Sequence, residues 1–144
     1  MPELPEVETT IKGLKPIVGS SILYIKIHTP KLRFLIPKNL ISIKKGIKIK
    51  KIFRKGKFIL ISLSDDKILV LHLGMSGRLR LFHPSKFIKK KHDHFILSTN
   101  KEQFLIFNDP RRFGFVDIVN SKKINDISYI KRLGIDALDN KLTE

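Results

Sequence analysis

The chain of 144 residues contains no cysteine. Disulfides, thiolate zinc sites and cysteine nucleophiles are excluded together, and the composition suits a reducing cytosol without requiring one. No early apolar stretch reads as a signal peptide, and no segment approaches the ~18 apolar residues that span a bilayer. The expectation is a soluble, cytoplasmic protein with no membrane partner. Internal repeats and low-complexity tracts are also missing. Negative charge is scarce: 13 Asp and Glu stand against 29 Lys and Arg, a formal net charge of +16. Between Glu8 and Asp65 there is no acidic residue at all. Such a surface attracts polyanions, nucleic acid before anionic membrane. The excess has a plainer source too, since lysines among abundant Ile and Asn are what AT-rich coding DNA produces. A hydrophobic fraction of 42% with 10 Phe argues against disorder, and the length fits one domain with a proper core.

The first segment reads as a helix over about 5–16. Pro5 suits an early helical position, the glutamates suit the positive end of the dipole, and Val7, Ile11 and Leu14 form one apolar stripe. Pro16 and Gly19 should end it. The pattern then turns to β over about 21–120. ILYIKIH (22–28) alternates Leu23, Ile25 and Ile27 on one face, and GIKIKKIFR (46–54) alternates with an irregularity at Lys50-Lys51. KFILISL (57–63) and KILVLHL (67–73) flank a hairpin turn at Ser64-Asp65-Asp66. RLRLF (78–82), HDHFILS (92–98), QFLIF (103–107) and FVDIV (115–119) follow at short spacing. Many short strands with tight turns predict an antiparallel sandwich or barrel. A short late helix is expected over about 125–134, with Gly134 as its stop.

Several residues could carry chemistry. The chain opens MPELPEVE. Removal of Met1 would expose the secondary amine of Pro2 beside Glu3. An α-amine titrates near about 7.7–8.0, against about 10.4 for lysine, so a free terminus is a ready nucleophile at neutral pH. A secondary amine attacking a sugar C1′ can give an iminium that is cationic without a proton, and Glu3 could move protons nearby. Otherwise Pro-Glu is an ordinary helix entry. In HLGMSGRLR (72–80), Met75 sits between Gly74 and Ser76-Gly77 on a tight turn. It is either an apolar wedge for a base stack or a side chain folded back onto its own sheet. In NDPRRFGFV (108–116), Asp-Pro marks a turn that presents Arg111 and Phe113. These are a nucleic-acid probe, or a solvated arginine pair beside a core Phe. KHDHF (91–95) offers His92 and His94 on one strand face, which is open to a two-His metal site. No further ligand completes that site, no metal is expected, and a phosphate-contacting His92 fits the lysines of the KFIKKKH loop (86–92) better. In RKGKF (54–58), Lys57 begins a strand and is either functional or simply solvated.

Taken together and in order, MPELPEVE, Lys57, HLGMSG, KHDH and DPRRFG resemble the formamidopyrimidine-DNA glycosylases over most of residues 1–135. PELPEV favours the oxidised-purine branch over the endonuclease VIII branch. The resemblance implies a two-sheet antiparallel β-sandwich, mainly β with flanking helices. It implies a bifunctional glycosylase and abasic-site lyase of base excision repair, acting on 8-oxoguanine and formamidopyrimidines in double-stranded DNA. Pro2 would form the Schiff base, Glu3 would be its acid–base partner, and Lys57 would assist recognition and elimination. Met75, Arg111 and Phe113 would fill the void left by a flipped nucleotide, and His92 and Arg111 would contact DNA. A monomeric, bacterial, nucleoid-associated protein is the corresponding expectation.

The chain departs from that pattern in two places. Family members are roughly twice as long, with a helix–two-turn–helix domain and usually a zinc finger, for which this chain has no cysteine; residues 1–144 therefore read as one catalytic-type domain without a cofactor. Gly134-Ile135-Asp136-Ala137 also stands where the family usually has Gly-x-Glu-Pro. A truncated, non-catalytic DNA-binding remnant is the alternative.

Overall fold

The computed structural model describes residues 4–126 apart from residue 42, and the apolar stripe near the start of the chain forms helix α1, Leu4–Leu14. Val7, Ile11 and Leu14 are its buried face, and Glu6 lies in the first turn, where the dipole favours a carboxylate. The α-helix stops short of residue 16. Lys15–Ile17 is a 3-10 turn containing Pro16, which has no N–H with which to continue the α-helical ladder. Gly19 follows at φ +86°.

Eight strands follow: β1 (Ile22–Ile27), β2 (Ile49–Lys55), β3 (Phe58–Leu63), β4 (Lys67–His72), β5 (Arg78–Phe82), β6 (Asp93–Thr99), β7 (Phe104–Asn108) and β8 (Phe115–Asn120). They build two four-stranded sheets, ordered β1-β6-β7-β5 and β2-β3-β4-β8. Every pairing is antiparallel. The fold is the expected mainly-β sandwich with an N-terminal helix. Of the late helix predicted over about 125–134, residues 127–134 lie outside the described residues, while Ser121–Asp126 form a 3-10 segment.

Side chains from both sheets and α1 make one core, with Ile17, Ile49, Ile59, Ile61, Phe95, Leu97, Leu105 and Phe107 among its members. A second cluster of Phe58, Leu60, Ile68, Val70 and Phe115 covers the other face of β3, β4 and β8. That explains why KFILISL and KILVLHL are apolar on both strand faces: both faces are covered.

The irregularity expected at Lys50-Lys51 is a register shift between Ile49 and Lys51. Two further shifts correct the sequence reading. One between Ile22 and Tyr24 buries Ile22 and Ile25 rather than an unbroken Leu23, Ile25, Ile27 face. The other, between Asp93 and Phe95, puts both Asp93 and His94 inside. A bulge changes which residues share a face, and the strict period-two count cannot see it.

Candidate nucleic-acid interface

Strand register gathers the singled-out residues at one end of the sandwich. His72, the last residue of β4, pairs with Phe58 of β3 and with Phe115 of β8. At the same level of the other sheet, Asn108 of β7 pairs with Arg78 of β5 and with Asp93 of β6. Lys57 precedes Phe58, and His92 precedes Asp93. The chain crosses between the sheets twice here, over 73–77 from β4 to β5 and over 109–114 from β7 to β8. Met75 rides the first crossover; Arg111 and Phe113 ride the second.

Both crossovers are tight. Gly77 N–H donates to the Leu73 carbonyl at 2.7 Å, and Gly74 sits at φ +61°. In the second, Pro110 starts a turn closed by Arg112 N–H to the Asp109 carbonyl at 3.3 Å, with Arg112 held at φ 58°. Met75 is 48% exposed and Phe113 45% exposed. Neither side chain belongs to the buried core. The two side chains line one depression of about 560 Å³ with Leu32, Arg33, Gly74 and Arg112. The Arg111 guanidinium stacks 5.1 Å above the Phe113 ring centroid.

Gly56, at φ +60°, and Lys57 form the two-residue turn between β2 and β3, so Lys57 precedes the strand rather than beginning it. Lys57 and Arg33 lie near enough to His72 to disfavour its protonation. His72 carries a role that the sequence reading did not assign. It is buried between Phe115, stacked at 5.5 Å, and Phe58, edge-on at 5.2 Å. Its Nδ1 accepts the Gly74 N–H at 3.0 Å, so the neutral ring carries its proton on Nε2. Burial, then Arg33 and Lys57, lower its pKa to about 4. The signal available was a lone histidine in an otherwise apolar run, two residues before a glycine.

His92 and His94 do not form a pair of free ligands. His94 is fully buried; its Nε2 donates to the Asp109 carbonyl at 2.8 Å, which leaves Nδ1 to accept the Thr29 hydroxyl at 2.6 Å. Burial lowers its pKa. His92 is half-buried, and its Nδ1 has no hydrogen-bond partner among the described residues. Among those residues no group of three His, Asp or Glu side chains converges as a metal site would require.

Pro2 and Glu3 lie outside the described residues. The helix they precede is placed firmly. Arg54 Nε of β2 donates to Glu8 Oε1 of α1, and Arg54 also reaches the carbonyl of Gly56, beside Lys57, at 3.4 Å. A cavity of about 570 Å³ is lined by Pro5, Glu6 and Thr9 of α1 and by Leu73, Met75 and Ser76 of the first crossover. The start of α1 and the Met75 loop therefore share one opening.

Comparison with solved structures places this architecture. Lactococcus lactis Fpg (MutM), in complex with DNA containing N7-benzyl-Fapy-dG, matches with a TM-score of 0.81 and 32% identity over 92% of this chain and 48% of that one. The same bacterium's Fpg bound non-covalently to DNA containing an AP site matches with a TM-score of 0.79, 32% identity, and 91% and 49% coverage. The fold is the one these Fpg proteins share over about half of their length. The profile of the formamidopyrimidine-DNA glycosylase N-terminal domain matches residues 1–116, and the chain belongs to that family. Among curated relatives, the formamidopyrimidine-DNA glycosylases of Dinoroseobacter shibae and Hahella chejuensis are 37% and 40% identical over 100% and 99% of this chain. They are covered to 54% and 52%, so the chain spans about half the length of the curated relatives it matches.

Proposed function

We propose that this chain supplies the catalytic half of a bifunctional DNA glycosylase and abasic-site lyase that removes oxidised purines, such as 8-oxoguanine and formamidopyrimidines, from double-stranded DNA. The carrying observation is the cavity shared by Pro5 and Glu6 with Met75 and Ser76. Pro2 precedes Pro5 by three residues, and three residues reach at most about 11 Å, so the terminal amine is tethered to this opening. An extruded deoxyribose would meet it there while Met75, Arg111 and Phe113 occupy the vacated stack.

After removal of Met1, the Pro2 nitrogen bonds to C1′ and the N-glycosidic bond breaks, the base leaving with a proton. Protonation of the ring oxygen, with Glu3 as donor, opens the sugar and leaves the cationic iminium between Pro2 and C1′. Loss of a C2′ proton gives the enamine, whose electron pair expels the 3′-phosphate. Lys57, His92 and Arg111, at the same basic end, would hold the backbone phosphates. His72, kept neutral by its low pKa, would present an N–H donor rather than a charge.

The test is borohydride trapping of the processed protein on duplexes containing 8-oxoguanine or an abasic site. The expected result is a covalent complex whose adduct maps to Pro2, absent from protein that retains Met1. If a full-length relative traps under the same conditions and this chain does not, while it still binds duplex in a salt-dependent way, the chain is a DNA-binding remnant and the catalytic reading is lost.

A further inference from the structure

We propose that the 73–77 and 109–114 crossovers form a single two-fingered unit, locked by Ser76 and Asp109, so that Met75 and Phe113 enter a base stack together rather than one after the other. The part about DNA rests on the function proposed above; the coupling itself does not.

Asp109 is 0% exposed, and no described basic side chain forms an ion pair with it. Its carboxylate is satisfied entirely by the two loops. Oδ1 accepts the Ser76 hydroxyl at 2.7 Å and the Arg112 N–H at 3.2 Å, and Oδ2 accepts the Gly114 N–H at 2.9 Å. Ser76 Oγ in turn accepts the Arg111 N–H at 3.0 Å. One hydroxyl of the Met75 loop thus bonds to the side chain of Asp109 and to the backbone of Arg111 in the other loop. The His94 ring fixes the residue from behind through the Asp109 carbonyl.

The backbones touch as well. A Cβ on Gly74 would lie 2.4 Å from Gly114 N, and one on Gly114 would lie 2.3 Å from the His72 carbonyl oxygen. The two loops therefore meet backbone to backbone at Gly74 and Gly114. A buried carboxylate that loses its donors is costly, so opening either loop exposes a penalty that the other loop's bonds were offsetting. This makes the pair cooperative. Asp109 and Ser76 are positioning residues for Met75, Arg111 and Phe113, and the left-handed backbone at Arg112 is held by the same carboxylate.

Amide hydrogen exchange of the whole chain tests the coupling without DNA. Gly77 reports the first loop and Gly114 the second. In the wild type the two amides should open with one free energy and one denaturant slope; distinct values would overturn the proposal. Ser76→Ala sharpens the test. Arg111 loses its acceptor directly and is uninformative, but Gly114 bonds to Oδ2, which Ser76 does not touch. The Gly114 amide should exchange at least about tenfold faster, and an unchanged rate would show independent loops. In a DNA arm, Met75→Ala and Phe113→Ala are combined and affinity is read on a duplex containing a tetrahydrofuran abasic analogue. In the wild-type background the double variant should lose no more than the worse single variant. In the Ser76→Ala background the two losses should multiply. Multiplying losses in both backgrounds would contradict concerted entry. A wild-type chain with no preference for the abasic duplex would refute the functional reading, while the exchange data would still decide the coupling.

Discussion

At one end of the sandwich the strands are joined by plain hairpins, β3 to β4 over 64–66 and β6 to β7 over 100–103. At the other, two short loops, 73–77 and 109–114, carry the chain from one sheet to its partner. The buried polar residues divide accordingly. Those near the hairpin end are the neutral Ser20, Ser98 and Thr99, whereas every buried ionisable side chain among the described residues, His72, Asp93, His94 and Asp109, lies at the crossover end. Burying such groups costs stability unless each is bonded, so their concentration marks where the fold is built for something other than stability. The same end displays Met75 and Phe113 to solvent on backbone too crowded for a Cβ at Gly74 or Gly114.

The largest expected effect comes from breaking that crowded end. Gly114→Ala would push a methyl group against the His72 carbonyl and Asp109 Oδ2, and should lower the unfolding free energy in urea by about 3 kcal/mol or more. Next is pH. His72 titrates near 6.5 when unfolded and about 4 when folded. Between those values the unfolded chain binds a proton that the folded chain refuses. His72 therefore leaves stability unaffected above its unfolded value and erodes it as pH falls towards 4, by roughly 3 kcal/mol. His94, also lowered by burial, acts with the same sign. His72→Asn keeps an acceptor for Gly74 N–H and should flatten the dependence of the urea midpoint between pH 7 and pH 4.5.

Smaller effects separate display from support. Met75→Ala and Phe113→Ala should each weaken binding to an abasic duplex about tenfold, near 1.4 kcal/mol. Each should leave the urea midpoint within about 0.5 kcal/mol, because both side chains are half exposed. The hairpin end should respond in the opposite sense to the crossovers. Asp66 holds φ 62° in the 64–66 turn, and Asp66→Gly should be neutral or stabilising by up to about 1 kcal/mol.

Much of this was legible in the sequence, for identifiable reasons. Short β-rich runs between turn residues located all eight strands, and the Val7, Ile11, Leu14 spacing located α1. Met75, Arg111 and Phe113 were visible as apolar and basic side chains on glycine- and proline-marked turns. The bulges at 22/24 and 93/95 were not visible, because a one-residue insertion is fixed by the partner strand rather than by local pattern. His72, Ser76 and Asp109 were missed for a related reason: their partners lie far along the chain, 33 and 35 residues away for the Ser76 hydroxyl, and only the sheet-to-sheet topology brings them together. Asp109 read as a turn former because Asp-Pro is one; its buried carboxylate has no local signature.

The most direct test of the contrast between the two ends is amide hydrogen exchange of the whole chain with and without a duplex carrying a tetrahydrofuran abasic analogue. Slowed exchange confined to Gly56-Lys57, 72–77, 92–94 and 109–114, with 64–66 and 100–103 unchanged, is the predicted outcome. Protection centred on the hairpin turns, with the crossovers unaffected, would contradict the account.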